Sequence, residues 1–428
     1  MNEKEKSGFP KFRWVMLVAL VAATMSNAVA LIGPAPLIGD ISKALGISLG
    51  EAVSATMGIY ALVGSVFCIC GGWFLDRFGI AKVYITCLLL MIVSLLLTPV
   101  FATDYTSLNI LRGIQSIGGG PIMGSAARVA AEWFPSHQRG IVPGFQGVAM
   151  GLGVAIGFVL SPWIFQTTGS WAAAVAWMSV VSVFALVIMV IVAFGPKPPQ
   201  QQNACGEMGA GSDNDLFKLA IKMPATWAAI LCVVAQGWMF QEFNDIVPSY
   251  IAIPAPVGLG FGPMTAGQFM GTVQIVFIIG AAASGFIVEK IFRGSPKPVS
   301  LIACAVFAVS AFALKFEGLV SNTSILLGLL CVAGFFLSMI APVGITFLAK
   351  NYPERITGRL GGIAQGCSML GGSLGVFVGA ATLHITGSYQ LPISIVTIAA
   401  IIGCLFSLGL NAPKLFCKTD ENQSQLKA

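Results

Sequence analysis

Long apolar runs, separated by short polar stretches, make up most of this chain. Twelve of these runs have about the 17–25 residues that an α-helix needs to cross a bilayer. The pattern therefore predicts an all-α membrane protein with twelve transmembrane helices, at residues 14–38, 52–75, 82–103, 107–132, 141–165, 171–194, 224–252, 264–289, 298–314, 324–349, 360–383 and 389–411.

The composition agrees with this prediction, because 56% of the 428 residues are hydrophobic and only 9% are charged. The net charge of +6 does not indicate a nucleic-acid partner, since the basic residues follow a membrane topology. Of the 23 Lys and Arg, 19 lie in the tails, in even-numbered loops or, for Lys82, at the edge of such a loop; Lys43 and Lys315 lie in odd-numbered loops, and Arg112 and Arg128 in the fourth run. The positive-inside rule then predicts cytoplasmic termini. No cleavage site follows the first run, so we expect a multi-pass protein of the bacterial inner membrane.

A polar linker and an internal repeat divide the chain into two halves. The sequence "GGWFLDRFG" after the second run matches "SGFIVEKIFRG" after the eighth, and "FQGVAMGLG" in the fifth matches "IAQGCSMLGG" in the eleventh. Parallel six-helix repeats are a transporter architecture with the substrate site at the repeat interface. We expect a cytoplasmic tail, an N-terminal six-helix bundle, a cytoplasmic linker, a C-terminal six-helix bundle and a second tail, at 1–13, 14–194, 195–223, 224–411 and 412–428.

Three motifs resemble signatures of the major facilitator superfamily. "GGWFLDRFGIAK" resembles the loop between helices 2 and 3, and "RGIQSIGGG" resembles the helix-4 motif. "WFPSHQRG" resembles the loop after helix 4 in several bacterial organic-anion branches. The resemblance covers the whole chain and implies the major facilitator fold, with transport by alternating access.

The cytoplasmic motifs supply a candidate gate. In the superfamily the Asp-Arg pair of the first loop latches the two halves, so the resemblance implies this role for Asp76 and Arg77. Arg77 can pair with a carboxylate such as Glu132, and Arg128 lies one helical turn before Glu132. The alternative is that these are ordinary topology charges. The six gating candidates are Asp76, Arg77, Gly79, Arg128, Glu132 and Arg139.

Arg112 is a permanent positive charge inside an apolar run. An arginine at the centre of a membrane helix costs at least about 2.5–3.5 kcal/mol, so it needs a partner. Its planar guanidinium beside the Gln115 amide suits a carboxylate or sulfonate, and helix-4 arginines often meet the substrate in anion-transporting branches of the superfamily. The alternative is that Arg112 braces helix 1 by bonding its backbone. The candidate substrate-binding residues are Arg112, Gln115, Asn27, Tyr60, Gln146, Trp238 and Gln365, although the two repeat-related glutamines also suit a structural hydrogen bond.

Ion coupling is expected in helix 7. Some anion-carrying relatives place a Glu seven residues after the helix-4 arginine, but Gly119 has that position here. Trp238, Glu242, Asp245 and Ser249 instead form one helical stripe. Glu242 or Asp245 can bind a proton or help to hold Na⁺, and Glu242 ranks first because it lies deeper. The alternative is a hydrated helix end.

Together these features predict a secondary active transporter for a small organic anion, coupled to H⁺ or another ion and acting as a monomer in the bilayer. The alternatives are an efflux pump for amphipathic compounds and a membrane sensor that does not transport. The exporter signature has a Gly-Pro pair late in helix 5, where this chain has Ser161-Pro162. We predict no enzyme, cofactor or metal, because no nucleophile–base set or nucleotide-binding loop occurs and the ten cysteines lack paired metal spacing.

Overall fold

All regular structure in the described residues is helical. The computed structural model describes residues 11–134, 141–196, 213–293, 295–352 and 354–411. Its helices are α1 (Arg13–Ile32), α2 (Ile38–Leu45), α3 (Leu49–Val53), α4 (Ile59–Phe78), α5 (Ile80–Phe101), α6 (Tyr105–Met123), α7 (Ala126–Trp133), α8 (Ile141–Thr168), α9 (Trp171–Trp177), α10 (Ser179–Phe194), α11 (Asp213–Ile221), α12 (Pro224–Ala252), α13 (Gly262–Phe286), α14 (Pro296–Ala313), α15 (Glu317–Val320), α16 (Thr323–Asn351), α17 (Glu354–Thr386) and α18 (Gln390–Leu408). A 3₁₀ turn spans Ala35–Leu37, and π-helical turns span Ser54–Gly58 and Ile287–Ile291.

The longer helices overlap the predicted apolar runs, and α12 has the predicted bounds. Within the described residues, ten helical segments are long and apolar enough to cross a membrane, or eleven if α11 and α12, bent by 69°, form one span. The predicted fourth run is not among them. It is polar and glycine-rich for a span, and it divides into α6 and α7 at Gly124–Ser125. The count of twelve stays a prediction.

Proline determines where α1 ends. In a continuous helix the carbonyl of Ala30 would accept the N–H of residue 34, but Pro34 has no N–H to donate. The sequence "GPAP" therefore leaves carbonyl groups of the last turn of α1 without helical partners. The chain continues through the 3₁₀ turn into α2, so that Arg13–Leu45 still forms one long span.

The chain forms two compact units that differ from the predicted halves. The first comprises Met1–Cys205, Glu242–Ile278 and Ser373–Pro392, and the second comprises Gly206–Gln241, Ile279–Gly372 and Ile393–Ala428. In the first unit α1 packs on α8 and α10, and α6 packs between α4 and α5. In the second unit α14 packs on α16, and a core forms around Phe347 and Leu360.

One end of the first unit brings together segments that are far apart in sequence. We call it the packed end: residues 33–58, 242–262 and 373–389. A methyl group at Gly39 would lie 3.1 Å from Ile253 Cγ1, and one at Gly50 would overlap the carbonyl oxygen of Ala380. Glycine therefore allows the first segment to approach the Ile253 side chain and the backbone of α17 closely.

Candidate functional site

Three consecutive glycines let α6 approach three different helices. A methyl group at Gly118 would overlap the carbonyl oxygen of Cys87 on α5, and one at Gly120 would lie 2.7 Å from the carbonyl oxygen of Gly64 on α4. One at Gly119 would overlap Asn27 Oδ1 on α1. Because no Cβ keeps these backbones apart, the polar side chains of α1, α4 and α6 meet in one buried cluster.

Arg112 is the centre of this cluster and is only 1% exposed. Its Nη1 and Nη2 donate to the carbonyl oxygens of Ala30 and Leu31 at 2.7 and 2.9 Å, and its Nε donates to that of Thr56 at 2.7 Å. Nη1 also donates to Gln115 Oε1 at 2.7 Å. Arg112 thus caps the carbonyl groups that "GPAP" leaves free, with the positive charge that a helix C-terminus favours. Together with the bonds to Thr56 and Gln115, these contacts use four of its five N–H groups.

Asn27 and Tyr60 form the second part of the cluster, and both side chains are buried. The Tyr60 hydroxyl donates to Asn27 Oδ1 at 2.8 Å, and its ring centroid lies 4.4 Å from the guanidinium carbon of Arg112. This distance is suitable for a cation–π contact. The Asn27 amide occupies the space that a side chain at position 119 would fill, so Gly119 and Asn27 depend on each other.

The remaining amides have different environments. Gln115 is fully buried; its Oε1 accepts from Arg112, whereas its Nε2 has no hydrogen-bond partner among the described residues. Gln146 on α8 donates to the carbonyl oxygens of Ile122 and Met123 at 3.1 and 3.3 Å, and so caps the end of α6. Gln365 on α17 is exposed. The two repeat-related glutamines therefore do not have equivalent environments.

The stripe predicted in helix 7 lies on α12. Trp238 is half-buried, whereas Glu242, Asp245 and Ser249 are fully buried. Glu242 packs against α17, where a methyl group at Gly379 would lie 3.0 Å from Glu242 Oε1. Neither carboxyl oxygen of Asp245 has a hydrogen-bond partner among the described residues. The alternative of a hydrated helix end does not fit this burial.

The gating candidates have mixed environments. Arg128 Nε contacts Glu132 Oε1, the pair that the spacing predicts. Arg77 does not pair with Glu132 among the described residues, because its guanidinium lies over the Trp73 ring, 5.3 Å from the centroid. Gly79 joins α4 to α5 with φ of 81°, a conformation that favours glycine. The side chain of Asp76 and all of Arg139 lie outside the described part of the chain.

Comparison with known proteins identifies the family. The profile of the Major Facilitator Superfamily matches residues 16–318 and 295–424. The chain belongs to the major facilitator superfamily. It is therefore a multi-pass membrane transporter for a small molecule and not an enzyme.

Relatives within the superfamily are similar over most of their length. The chain is 24% identical to the cis,cis-muconate transport protein of Acinetobacter baylyi, over 87% of this chain and 88% of the relative. It is 25% identical to a probable sulfoacetate transporter of Cupriavidus necator, with 92% of each covered. A crystal structure of a D-xylose–proton symporter superposes with a TM-score of 0.72 at 16% identity, over 93% of this chain and 97% of the symporter, which supports the major facilitator fold.

Sequence reasoning missed several polar residues of this superfamily member. At the packed end Ser48 Oγ lies 2.7 Å from His384 Nδ1 and donates to Glu51 Oε2 at 2.8 Å. The Ser-x-x-Glu spacing of a capping box was visible in the sequence. Tyr389 is also buried and lies near Asp245 and Ser249. No local pattern indicates His384 or Tyr389, because their partners are more than a hundred residues away.

Proposed function

We propose that this transporter is a secondary active transporter that moves a small organic anion, of carboxylate or sulfonate type, across the bacterial inner membrane. Transport proceeds by alternating access and is coupled to H⁺ or another ion. The chain crosses the membrane twelve times and has both termini in the cytoplasm. The packed end then lies on the periplasmic side, and the pair Arg128–Glu132 lies on the cytoplasmic side with Arg77 and Gly79.

The buried charge of Arg112 carries this proposal. Arg112 forms no ion pair with a carboxylate among the described residues, and its partners are carbonyl oxygens and one amide. These dipoles satisfy its hydrogen bonds but leave a net positive charge. At 4 Å from a buried charge, an anion gains about 4 kcal/mol at an effective dielectric constant of 20. An organic anion beside the cluster compensates the charge that the protein leaves unpaired.

The same geometry restricts how Arg112 acts on the substrate. Only one of its N–H groups is left for a ligand, so a bidentate contact with the guanidinium requires loss of one of these bonds. The unpartnered Nε2 of Gln115 is a second donor beside it. We infer that the charge of Arg112 first attracts the anion, and that Gln115, Asn27 and Tyr60 form the polar wall of the site. Trp238, Gln146 and Gln365 stay weaker candidates for substrate contact.

The names of the relatives support an anionic substrate. Muconate is a dicarboxylate, and sulfoacetate carries a carboxylate and a sulfonate. A third relative, 24% identical over 83% of this chain and 85% of its own length, is the D-galactonate transporter of Escherichia coli. Galactonate is also a carboxylate. The three compounds share a carboxylate, the group that a buried arginine recognises.

Ion coupling is assigned to the acids of α12. Gly119 provides no carboxyl group on α6, and Asn27 occupies the neighbouring space as a neutral amide. Glu242 and Asp245 are the acidic side chains that are fully buried among the described residues. One of them binds the coupling ion.

Uptake by proteoliposomes tests the proposal. The purified protein is reconstituted and supplied with labelled small carboxylates and sulfonates, with and without a pH gradient. We expect saturable uptake that Arg112→Lys and Arg112→Ala both reduce at least about tenfold, an effect of 1.4 kcal/mol or more. Arg293→Lys is the matched control, because Arg293 is exposed.

The alternatives give different results in the same assay. An efflux pump for amphipathic compounds would transport cationic dyes and tolerate Arg112→Ala. A sensor would bind the anion without uptake. Uptake of an anion that is unchanged in Arg112→Ala would contradict the proposed role of Arg112.

A further inference from the structure

Asp245 and Tyr389 are two buried side chains whose polar atoms lack partners in the part of the chain that the structure describes. Asp245 is fully buried and Tyr389 is 1% exposed. Both carboxyl oxygens of Asp245 and the hydroxyl of Tyr389 lack hydrogen-bond partners among the described residues. The two groups nevertheless lie close enough to interact electrostatically. Buried polar groups are nearly always paired, so a pair of this kind indicates a ligand or a proton.

The surroundings of Asp245 favour a proton over a metal ion. On α12 the titratable residues nearest to Asp245 in sequence are Glu242 and Tyr250, and Tyr389 before α18 lies near Asp245. The rings of Tyr250 and Tyr389 are 5.5 Å apart. No Lys, Arg or His of the described residues pairs with Asp245, and no described cluster of three His, Cys, Asp or Glu can hold a metal. An ionised carboxylate without donors or a counter-ion is strongly disfavoured inside a protein. The neutral acid fits this site.

Ser249 connects this site to the break after α1. Its hydroxyl oxygen lies 3.1 Å from the carbonyl oxygen of Asp245 and 3.1 Å from that of Ala35, in the "GPAP" break. Tyr389 also lies near Ser249. A charge on Asp245 would therefore act one helical turn from the contact that joins α12 to the first span at the packed end.

We propose that Asp245, Tyr389 and Ser249 form a proton-binding site that links the proton to the packed end. The Asp245 carboxyl holds the proton while α12 contacts the break after α1. When α12 separates from this break, water reaches Asp245, the O–H bond breaks, and the proton passes to water and leaves a carboxylate. The inference rests on the proposed alternating access, and it ranks Asp245 above Glu242.

Infrared difference spectroscopy tests the proton site without a substrate. The full-length protein in lipid is titrated from acid to alkaline pH, and the C=O band of buried protonated carboxyl groups is followed. We expect a band that is lost at alkaline pH and is absent from Asp245→Asn at all pH values. Tyr389→Phe should move the midpoint of the titration. The same pH-dependent band in Asp245→Asn would overturn the proposal.

Cysteine cross-linking tests the link to the packed end. With the native cysteines replaced by alanine, Gly39→Cys and Ile253→Cys report contact of the first span with the end of α12. The pair Gly33→Cys and Met178→Cys, also adjacent, corrects for the pH dependence of the thiol reaction itself. We expect cross-linking relative to this control to fall at alkaline pH in the parent protein and to be independent of pH in Asp245→Asn.

Two results would overturn this link: no corrected pH dependence in the parent, or an unchanged pH dependence in Asp245→Asn. Neither experiment requires transport. If the protein did not transport an organic anion, both results could still be interpreted. If Asp245 did not bind the proton, anion uptake would have to be explained by other residues.

Discussion

Arg112 and Asp245 are both buried ionisable residues, but their surroundings are opposite. Arg112 donates four hydrogen bonds to α1, to the π-helical turn before α4 and to its own helix, whereas neither carboxyl oxygen of Asp245 has a hydrogen bond among the described residues. A charge with its hydrogen bonds satisfied can stay ionised and hold helices in place. An acid without partners has to change its charge or its surroundings. Arg112 therefore suits a permanent structural contact, whereas Asp245 suits a change of protonation state.

Removing Arg112 should have the largest effect on stability. Arg112→Met leaves three carbonyl oxygens and Gln115 Oε1 without their donor, and each buried unsatisfied group costs about 1–3 kcal/mol. We expect a severe loss of folded protein and a much lower melting temperature in detergent, measured by size-exclusion chromatography and thermal unfolding. A melting temperature close to that of the parent would show that these contacts do not brace α1.

Gly119→Ala should have an intermediate effect. The added methyl group overlaps Asn27 Oδ1, so Asn27 has to move and its bond with Tyr60 is strained. We expect destabilisation of about 1–3 kcal/mol, typical of overpacking, measured by thermal unfolding.

Gly113→Ala is the matched control on the same helix. A methyl group there meets nothing within 4 Å, so this variant should be neutral or slightly stabilised. Equal melting temperatures for the two variants would contradict the close approach of α1 and α6.

Tyr60→Phe should have a smaller effect. It removes the hydrogen bond to Asn27 but keeps the ring beside Arg112, so the loss should be about 1 kcal/mol in unfolding free energy. The variant also separates stability from function. If Tyr60 belongs to the wall of the anion site, the apparent affinity for the anion in uptake assays should fall while the melting temperature changes little.

Asp245→Asn should have the smallest effect on stability. No hydrogen bond or ion pair to Asp245 is lost, so we expect a change below about 1 kcal/mol in thermal unfolding. Glu242→Gln is the matched control on the same helix. Strong destabilisation by Asp245→Asn would mean that the carboxyl group has a structural partner, and the contrast with Arg112 would fail.

The fold was largely predictable because apolar runs and topology charges are local properties of the sequence. The bounds of α12 were predicted from apolarity alone. The position of the break after α6 was not predicted, because residues 107–132 form one continuous run in the sequence, whereas α6 ends at Met123. The sequence indicated either a substrate anion or the backbone of helix 1 as the partner of Arg112. The missing N–H of Pro34 explains why the carbonyl of Ala30 is one of its partners.

The site was less predictable because it depends on contacts between distant segments. In the sequence, Gly119 indicated only that α6 lacks a carboxyl group at this position. Its contact with Asn27 becomes evident only when α1 lies against α6. Glu242 was ranked above Asp245 by depth, yet the lack of hydrogen bonds and the proximity of Tyr389 distinguish Asp245. The depth of a residue in the membrane can be estimated by counting along one helix. Its hydrogen bonds depend on neighbouring segments that are distant in the sequence.

Ligand-induced thermal stabilisation tests the central claim most directly. The parent protein and Arg112→Lys are heated with a panel of small carboxylates and sulfonates and, separately, with cationic amphipathic drugs. We predict that at least one anion raises the melting temperature of the parent, that the cations do not, and that Arg112→Lys loses the response. Stabilisation by the cations alone, or an anion response that is unchanged in Arg112→Lys, would contradict the claim that the buried charge of Arg112 serves an anionic substrate.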